Sequence, residues 1–486
     1  MNRPIVHLFG LFTLLFALLV GFTSRWSVFE AESLEDETAN RRPLLEQQRI
    51  PRGLIYARDG TVMAKNEQLG NRQTRRFVRR YPTDSLFSHA VGYSFIDRGR
   101  AGLEQSRNDV LTGSGNEFAS LIDELSGAQA GDSLRTTLDP EAQRAAIEGL
   151  GGRRGSVVAI EPETGRIRAM ASLPDFDPNA VRERFNDLNA DEDSPLFNRA
   201  TQARYPPGST FKVVTAAAAL DDGRYGPNTT VSGKNDKPIS GVPLENFEGA
   251  QFGQVTLTEA LTKSINTAWA EVGADLGDST MLRYMRRFGF GAEPPLDYPR
   301  SQLAASGVFD EELLDEDDPI DIGRVAIGQE RLQVTPLQMA MVAATVANNG
   351  ALMQPLFGER AIAPDGRVTE RIRPDRVRRV IDASAARELT GMMSSVVEEG
   401  SGTAAQLRGV RVAGKTGTAE RGAGVNQAWF IAFAPVEDPK IALAVTVEQA
   451  SGTGGEVAAP IARRVLEVIL DAKGRGSSGP AASGGF

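Results

Sequence analysis

The sequence predicts an α+β fold: an antiparallel sheet flanked by helices, with a helical lobe inserted, preceded by a β-rich pedestal and one N-terminal transmembrane helix. Three observations predict it. Strand-like runs stand at both ends of the second half of the chain, at 155–160 and 166–172 and again at 428–433 and 441–447, with helical stretches between them. Residues 41–134 mix short strand-like runs with Gly and Arg and offer no continuous helix. From Pro4 to Ser24 no residue carries a formal charge.

The elements follow in order. About 20 apolar residues cross a hydrocarbon core of roughly 30 Å as a helix, so residues 5–24 read as an uncleaved anchor behind a short tail at 1–4. Arg25-Trp26 follows it without a clean cleavage motif. The acidic stretch within 25–40 reads as a juxtamembrane linker, 41–134 as the pedestal, 135–473 as the second unit and 474–486 as a disordered Gly/Ser/Ala tail. In the second unit a turn at Glu161-Pro162-Glu163-Thr164-Gly165 joins the first two strands. A helix is expected over 210–220, stopped by Asp221-Asp222-Gly223. A capping-box pattern at Thr256 and Glu259 opens another, interrupted near Ser264. Residues 337–347 read as a buried helix, and Pro460 is expected to start a final amphipathic one.

Composition narrows the chemistry. The chain has 486 residues, enough for two or three domains, and a net charge of −9 that argues against wholesale nucleic-acid binding. It has no cysteine, which excludes thiolate sites, and only two histidines, His7 and His89, which almost excludes a histidine metal cluster or a Ser-His-Asp triad. Acid–base work therefore falls to carboxylates, lysines or tyrosines. Lysine is scarce: eight, against 46 arginines.

Three motifs carry candidate chemistry. In Tyr205-Pro206-Pro207-Gly208-Ser209-Thr210-Phe211-Lys212 the prolines and glycine force a turn before an apolar helix. Ser209 then lies one turn from Lys212, on the same face. A neutral lysine can take a proton from a serine hydroxyl, provided burial pulls its pKa down from about 10.4. None of the other seven lysines follows a serine at this spacing. In Lys263-Ser264-Ile265-Asn266, Ser264 and Asn266 place a hydroxyl and an amide on one irregular turn; the same pattern at Ser106-Arg107-Asn108 makes it weak alone. In Gly414-Lys415-Thr416-Gly417-Thr418, at the end of a strand-like 410–413, Lys415, Thr416 and Thr418 suit a substrate carboxylate, and Gly417 admits a close backbone. The spacing from Gly409 formally fits a phosphate loop, but the intervening residues read as strand and no helix follows. Arg72, Arg75, Arg76, Arg79 and Arg80 read first as a solvated basic face, and the acidic run 310–318 as an exposed loop.

The three motifs, in this order and in one domain, resemble those of class B penicillin-binding proteins, the monofunctional peptidoglycan D,D-transpeptidases. Arg52-Gly53, Arg58-Asp59-Gly60 and Gly102-Leu103-Glu104 resemble the family's non-catalytic motifs. Thr137-Leu138-Asp139, Asn198-Arg199-Ala200 and Ala326-Ile327-Gly328-Gln329 also fall in register. Glu330 stands where many relatives have glycine, and Ala57 where aspartate is usual.

The resemblance implies a penicillin-binding, serine β-lactamase-like transpeptidase domain and an acyl-serine mechanism on D-Ala-D-Ala stem peptides, with β-lactams as trapped mimics. It implies Ser209 as nucleophile, Lys212 as base, Ser264 and Asn266 as proton shuttle and substrate guide, and Lys415, Thr416, Gly417 and Thr418 at the terminal carboxylate. No metal or organic cofactor is implied. The expected setting is a single-pass membrane protein with a cytoplasmic N-terminus and an extracytoplasmic catalytic domain, partnered by a SEDS-family membrane glycosyltransferase. Two alternatives remain at this point: a non-catalytic penicillin-binding scaffold or sensor, and a membrane-anchored β-lactamase, whose deacylating glutamate has Glu245 as nearest candidate.

Overall fold

Two hydrophobic strands, Gly155–Ile160 and Ile167–Leu173, are buried along their whole length and start the central sheet of the computed structural model. The structure describes residues 3–24, 50–71, 75–113, 130–310, 312–313, 320–420 and 425–477. The linker at 25–40, Arg72, most of the acidic run at 310–318 and residues 478–486 of the tail lie outside them. Three late strands, Ala413–Glu420, Asn426–Ala434 and Ile441–Ala450, complete an antiparallel five-stranded sheet, with Ile441–Ala450 pairing onto Gly155–Ile160 and Ala413–Glu420 at one edge.

Helices cover both faces, which is why the inner strands are buried along most of their length and read as largely apolar runs rather than alternating ones. Pro140–Leu150 and Gly454–Ser477 pack on one face. On the other lie Pro336–Ala347, buried at every position, and Ala383–Glu398. Thr335 caps the former by accepting from the Gln338 backbone, and Pro336 takes the first-turn position where a missing N–H is harmless.

Two sequence expectations shift. The last helix begins at Gly454 and not at Pro460, because Thr453 and Glu456 form a capping box: Glu456 Oε2 accepts from Thr453 N at 2.8 Å. Pro460 is thereby carried inside the helix. The strand expected over 410–413 instead runs Ala413–Glu420, so the Lys-Thr-Gly-Thr motif lies within it, paired residue by residue from Lys415 with Ile431 to Thr418 with Ala428.

The pedestal is built on a second, six-stranded sheet. Its order is Val368–Arg371, Gly358–Ile362, Ser133–Thr136, Ile55–Tyr56, Val62–Leu69, Arg76–Arg80. Two of the six strands thus come from deep within the second unit. The sheets are stitched together where Ile167 N donates to Leu356 O (3.0 Å) and Thr137 Oγ1 to Ile167 O (2.7 Å).

The basic stretch is not a uniform solvated face. Arg75, Arg76 and Arg80 are exposed, but Arg79 is buried and its Nε donates to Glu104 Oε1 at 2.5 Å. Arg52 reaches the other oxygen of Glu104 at 3.0 Å. Burial pushes the Glu104 carboxyl up, yet Arg79 and Arg52 together hold it below the usual carboxylate range. Arg52 and Glu104 belong to two separate sequence motifs, and this buried cluster is where they meet.

The first helix spans Arg3–Ser24, and its large apolar side chains from Leu8 to Val20 are exposed. Its described side chains cover residues 7–20 and 22. Among the described residues no helix is long and apolar enough to cross a membrane.

Removing Glu104 leaves two buried guanidinium groups without their anion. Glu104→Ala is expected to lower stability by about 3–5 kcal/mol, read as a shift in the urea unfolding midpoint. An unchanged midpoint refutes the structural role given to this cluster.

Candidate active site

The turn that carries Ser209 is held by its own sequence. Pro206 and Pro207 restrict φ, and Gly208 takes φ +52°, a region closed to most side chains. A 3₁₀ turn over Gly208–Phe211 then feeds the helix Lys212–Asp221. The turn is tied from outside as well: Trp429 Nε1 donates to Pro206 O at 3.0 Å and Gly208 N to Gly328 O at 3.0 Å. Ser209 is half-buried, while Lys212 is wholly buried in an otherwise apolar helix.

Ser264 and Asn266 arrive at the same place from a broken helix. The capping box at Thr256 starts Leu257–Thr262, and helix resumes at Asn266–Leu276. Between them Ser264 takes φ +57°, uncommon for a residue other than glycine. That strain turns its hydroxyl and its carbonyl toward Lys212. Lys212 Nζ lies 2.8 Å from Ser264 O, 3.2 Å from Ser264 Oγ and 2.7 Å from Asn266 Oδ1.

Lys415 approaches from the edge strand, its Nζ 2.9 Å from the same Ser264 Oγ. Ser264 Oγ therefore sits between two lysine nitrogens. Burial pulls Lys212 well below the ordinary lysine value, helped by the charge of Lys415, and burial alone brings Lys415 down to about 7. The group is built to move a proton.

The rest of the Lys-Thr-Gly-Thr strand faces the Ser209 turn. At Gly417 a Cβ would stand 2.6 Å from Pro207 O, so glycine is what lets strand and turn touch. Thr416 is nearly buried and its hydroxyl lies 2.5 Å from that of Ser401. Thr418 is half-buried, and its Oγ1 accepts from Gly454 N at 3.1 Å. Ser209, Lys212, Ser264, Asn266, Lys415, Thr416, Gly417 and Thr418 thus converge on one locality from three segments. The second Ser-x-Asn does not join them: Asn108 accepts from Arg52 in the pedestal.

Sequence reasoning passed over the supports. Asn246 is buried and its Oδ1 accepts from both the backbone N and Oγ1 of Thr267 at 3.1 Å, pinning the start of the helix that carries Asn266. Glu245 is exposed; its contribution is its main-chain carbonyl, which accepts from Asn266 Nδ2 at 3.1 Å. Arg199, central to Asn198-Arg199-Ala200, is buried and pairs with Glu448, a partner 249 residues away. Glu330 takes φ +63°, the conformation for which glycine is the easier choice.

Similarity to known proteins fixes its family. Residues 155–467 match the penicillin binding protein transpeptidase domain, and residues 52–133 the penicillin binding protein A dimerisation domain. The peptidoglycan D,D-transpeptidase PbpA of Mycolicibacterium smegmatis is 36% identical, over 97% of this chain and 99% of its own. The ceftriaxone acyl-enzyme structure of penicillin-binding protein A from M. tuberculosis is 34% identical, with a TM-score of 0.80 over 88% of this chain and 100% of that one. A D,D-transpeptidase domain from Eggerthella lenta is 32% identical, with a TM-score of 0.78 over 88% and 100%. With well over half of its length inside one domain model and a relative matched end to end, this chain belongs to the penicillin-binding protein transpeptidases.

Proposed function

We propose that Ser209 is the acylated nucleophile of a peptidoglycan D,D-transpeptidase that cross-links D-Ala-D-Ala stem peptides and is a β-lactam target. The observation that carries this reading is Ser264 Oγ standing between Lys212 Nζ at 3.2 Å and Lys415 Nζ at 2.9 Å, both lysines pulled down by burial.

Lys212, neutral, takes the Ser209 proton as Oγ bonds the carbonyl carbon of the penultimate D-alanine. The backbone N–H groups of Ser209 and Thr418 hold the developing oxyanion, each worth about 2.7–4 kcal/mol. The peptide C–N bond then breaks, and the proton passes through Ser264 to the departing D-alanine amine. An amine of a neighbouring stem peptide attacks the ester carbonyl, its proton returns by the same route to Ser209 Oγ, and the cross-link forms. Asn266 orients the donor peptide; Lys415, Thr416 and Thr418 receive its terminal carboxylate, with Gly417 keeping the strand close. A β-lactam follows the first step, but its leaving amine stays tethered to the acyl group.

The exported layout follows from the substrate. Residues 41–134 act as a pedestal and 135–473 as the catalytic unit outside the membrane. The uncharged apolar run within Pro4 to Ser24 supports the reading that residues 5–24 tie them to the membrane with the N-terminus inside. A SEDS-type glycosyltransferase is the partner this layout fits, engaged through anchor and pedestal.

Mass spectrometry after ampicillin treatment tests the nucleophile: one adduct on the Ser209 peptide, absent from Ser209→Ala. An adduct elsewhere overturns the assignment. Lys212→Arg puts a guanidinium that does not deprotonate at the base position, so acylation should fall by about 10²-fold or more.

The two lysines also set a pH profile. Acylation needs Lys212 unprotonated and Lys415 charged, so the competent pair holds one proton. Protonation of Lys212 on the acid side and deprotonation of Lys415 on the basic side each lower the rate, the basic limb falling near pH 7 in the free enzyme. Lys415→Arg keeps its charge and should lose the basic limb. A basic limb that survives this substitution refutes the division of roles.

A further inference from the structure

Glu448 lies on the central strand Ile441–Ala450, outside every motif that marks the active site. Its side chain is only 10% exposed. Oε1 accepts from Tyr205 Oη at 2.6 Å and from Arg199 Nε at 2.8 Å, and Oε2 lies 3.3 Å from Arg154 Nε. The carboxylate is held from the far side too, because Arg199 donates to Ser194 O at 3.2 Å and Asp193 O at 2.8 Å, while Glu448 N donates to Arg154 O at 2.8 Å. A buried carboxylate with two short charge-assisted bonds is a fixed point.

Tyr205 begins the turn that presents Ser209, and three of the attachments of this turn are at its first two residues. Tyr205 N donates to Val334 O at 2.9 Å, with the reverse bond at 2.8 Å. Trp429 Nε1 holds Pro206 O, and the Trp429 and Tyr205 rings meet edge to face at 6.1 Å. The phenol bonded to Glu448 is the third. The Gly208–Gly328 bond holds the far end of the turn, while the phenol sets how its near end sits against the central strand that carries Glu448. Pro206 and Pro207 make the segment stiff, so a rotation at Tyr205 is carried to Ser209 instead of being absorbed.

We infer that Glu448 is a positioning residue for acylation, acting on Ser209 through the Tyr205 hydroxyl. This rests on Ser209 being the nucleophile, but fails separately from it.

The test uses full-length protein in detergent and a fluorescent penicillin, with reactive sites titrated so that rates are expressed per competent enzyme. Tyr205→Phe removes one hydroxyl and leaves the ring packing in place. The acylation rate constant per titrated site should fall about 10-fold, since small misplacements of a reacting atom are expensive, while the half-saturating penicillin concentration moves less than about twofold. Glu448→Gln should shift the same quantity. The double variant should be no slower than the slower single, because both act on one link.

Wild-type rates per site in Tyr205→Phe overturn the proposal. So does a loss confined to the titratable fraction or the thermal midpoint, the mark of a purely structural role. Multiplying losses in the double variant also overturn it, by showing that Glu448 acts along another route. If Glu448→Gln does not fold, Tyr205→Phe alone decides by the rate criterion. Labelling of Ser209→Ala would instead sink the nucleophile assignment and leave these rates to be explained otherwise.

Discussion

Two lysine side chains buried around a single serine hydroxyl are the constraint on which this molecule is organised. An ammonium group taken out of water is unfavourable by several kcal/mol, and the response is a lowered pKa rather than a buried pair of full charges. Among the described residues, Lys212 and Lys415 are wholly buried, and burial is the first cause of the shift in each. The oxygens around Lys212 do not reverse that. They hold the Lys212 amine in place, through Ser264 O at 2.8 Å and Asn266 Oδ1 at 2.7 Å.

Much of the surrounding fold serves to deliver these groups from distant segments. Ser264 adopts a left-handed backbone, maintained by helix on either side and by Asn246 gripping Thr267. The edge strand brings Lys415, and glycine at 417 lets it lie against the Ser209 turn. Strain at Ser264 and close approach at Gly417 sit where the chemistry is, while the helices Pro336–Ala347 and Lys212–Asp221 supply the packing that sustains them.

What could be read in the sequence was what local chemistry specifies. The proline-glycine turn before Lys212, the capping box at Thr256 and the apolar run at 337–347 are each set by neighbours within a few residues, and each is found where expected. The strand Ala413–Glu420 was only half legible, because Gly-Lys-Thr-Gly-Thr has weak strand propensity and its state is imposed by pairing with Asn426–Ala434. Pro460 misled because a proline is a stronger local sign than the Thr453–Glu456 box upstream of it. Arg79 looked like its exposed neighbours because Glu104, which draws it inside, is remote in sequence. Glu448 has the same difficulty: nothing near it in the chain announces Arg199 or Tyr205.

The pedestal sheet has a mechanical meaning as well. It borrows Gly358–Ile362 and Val368–Arg371 from the far half of the chain, and the bond from Ile167 N to Leu356 O continues into the five-stranded sheet that carries Lys415. A pull on the N-terminal strands is therefore passed through ladder bonds to the second half of the chain, and neither half can be cut away without leaving the other with a raw strand edge.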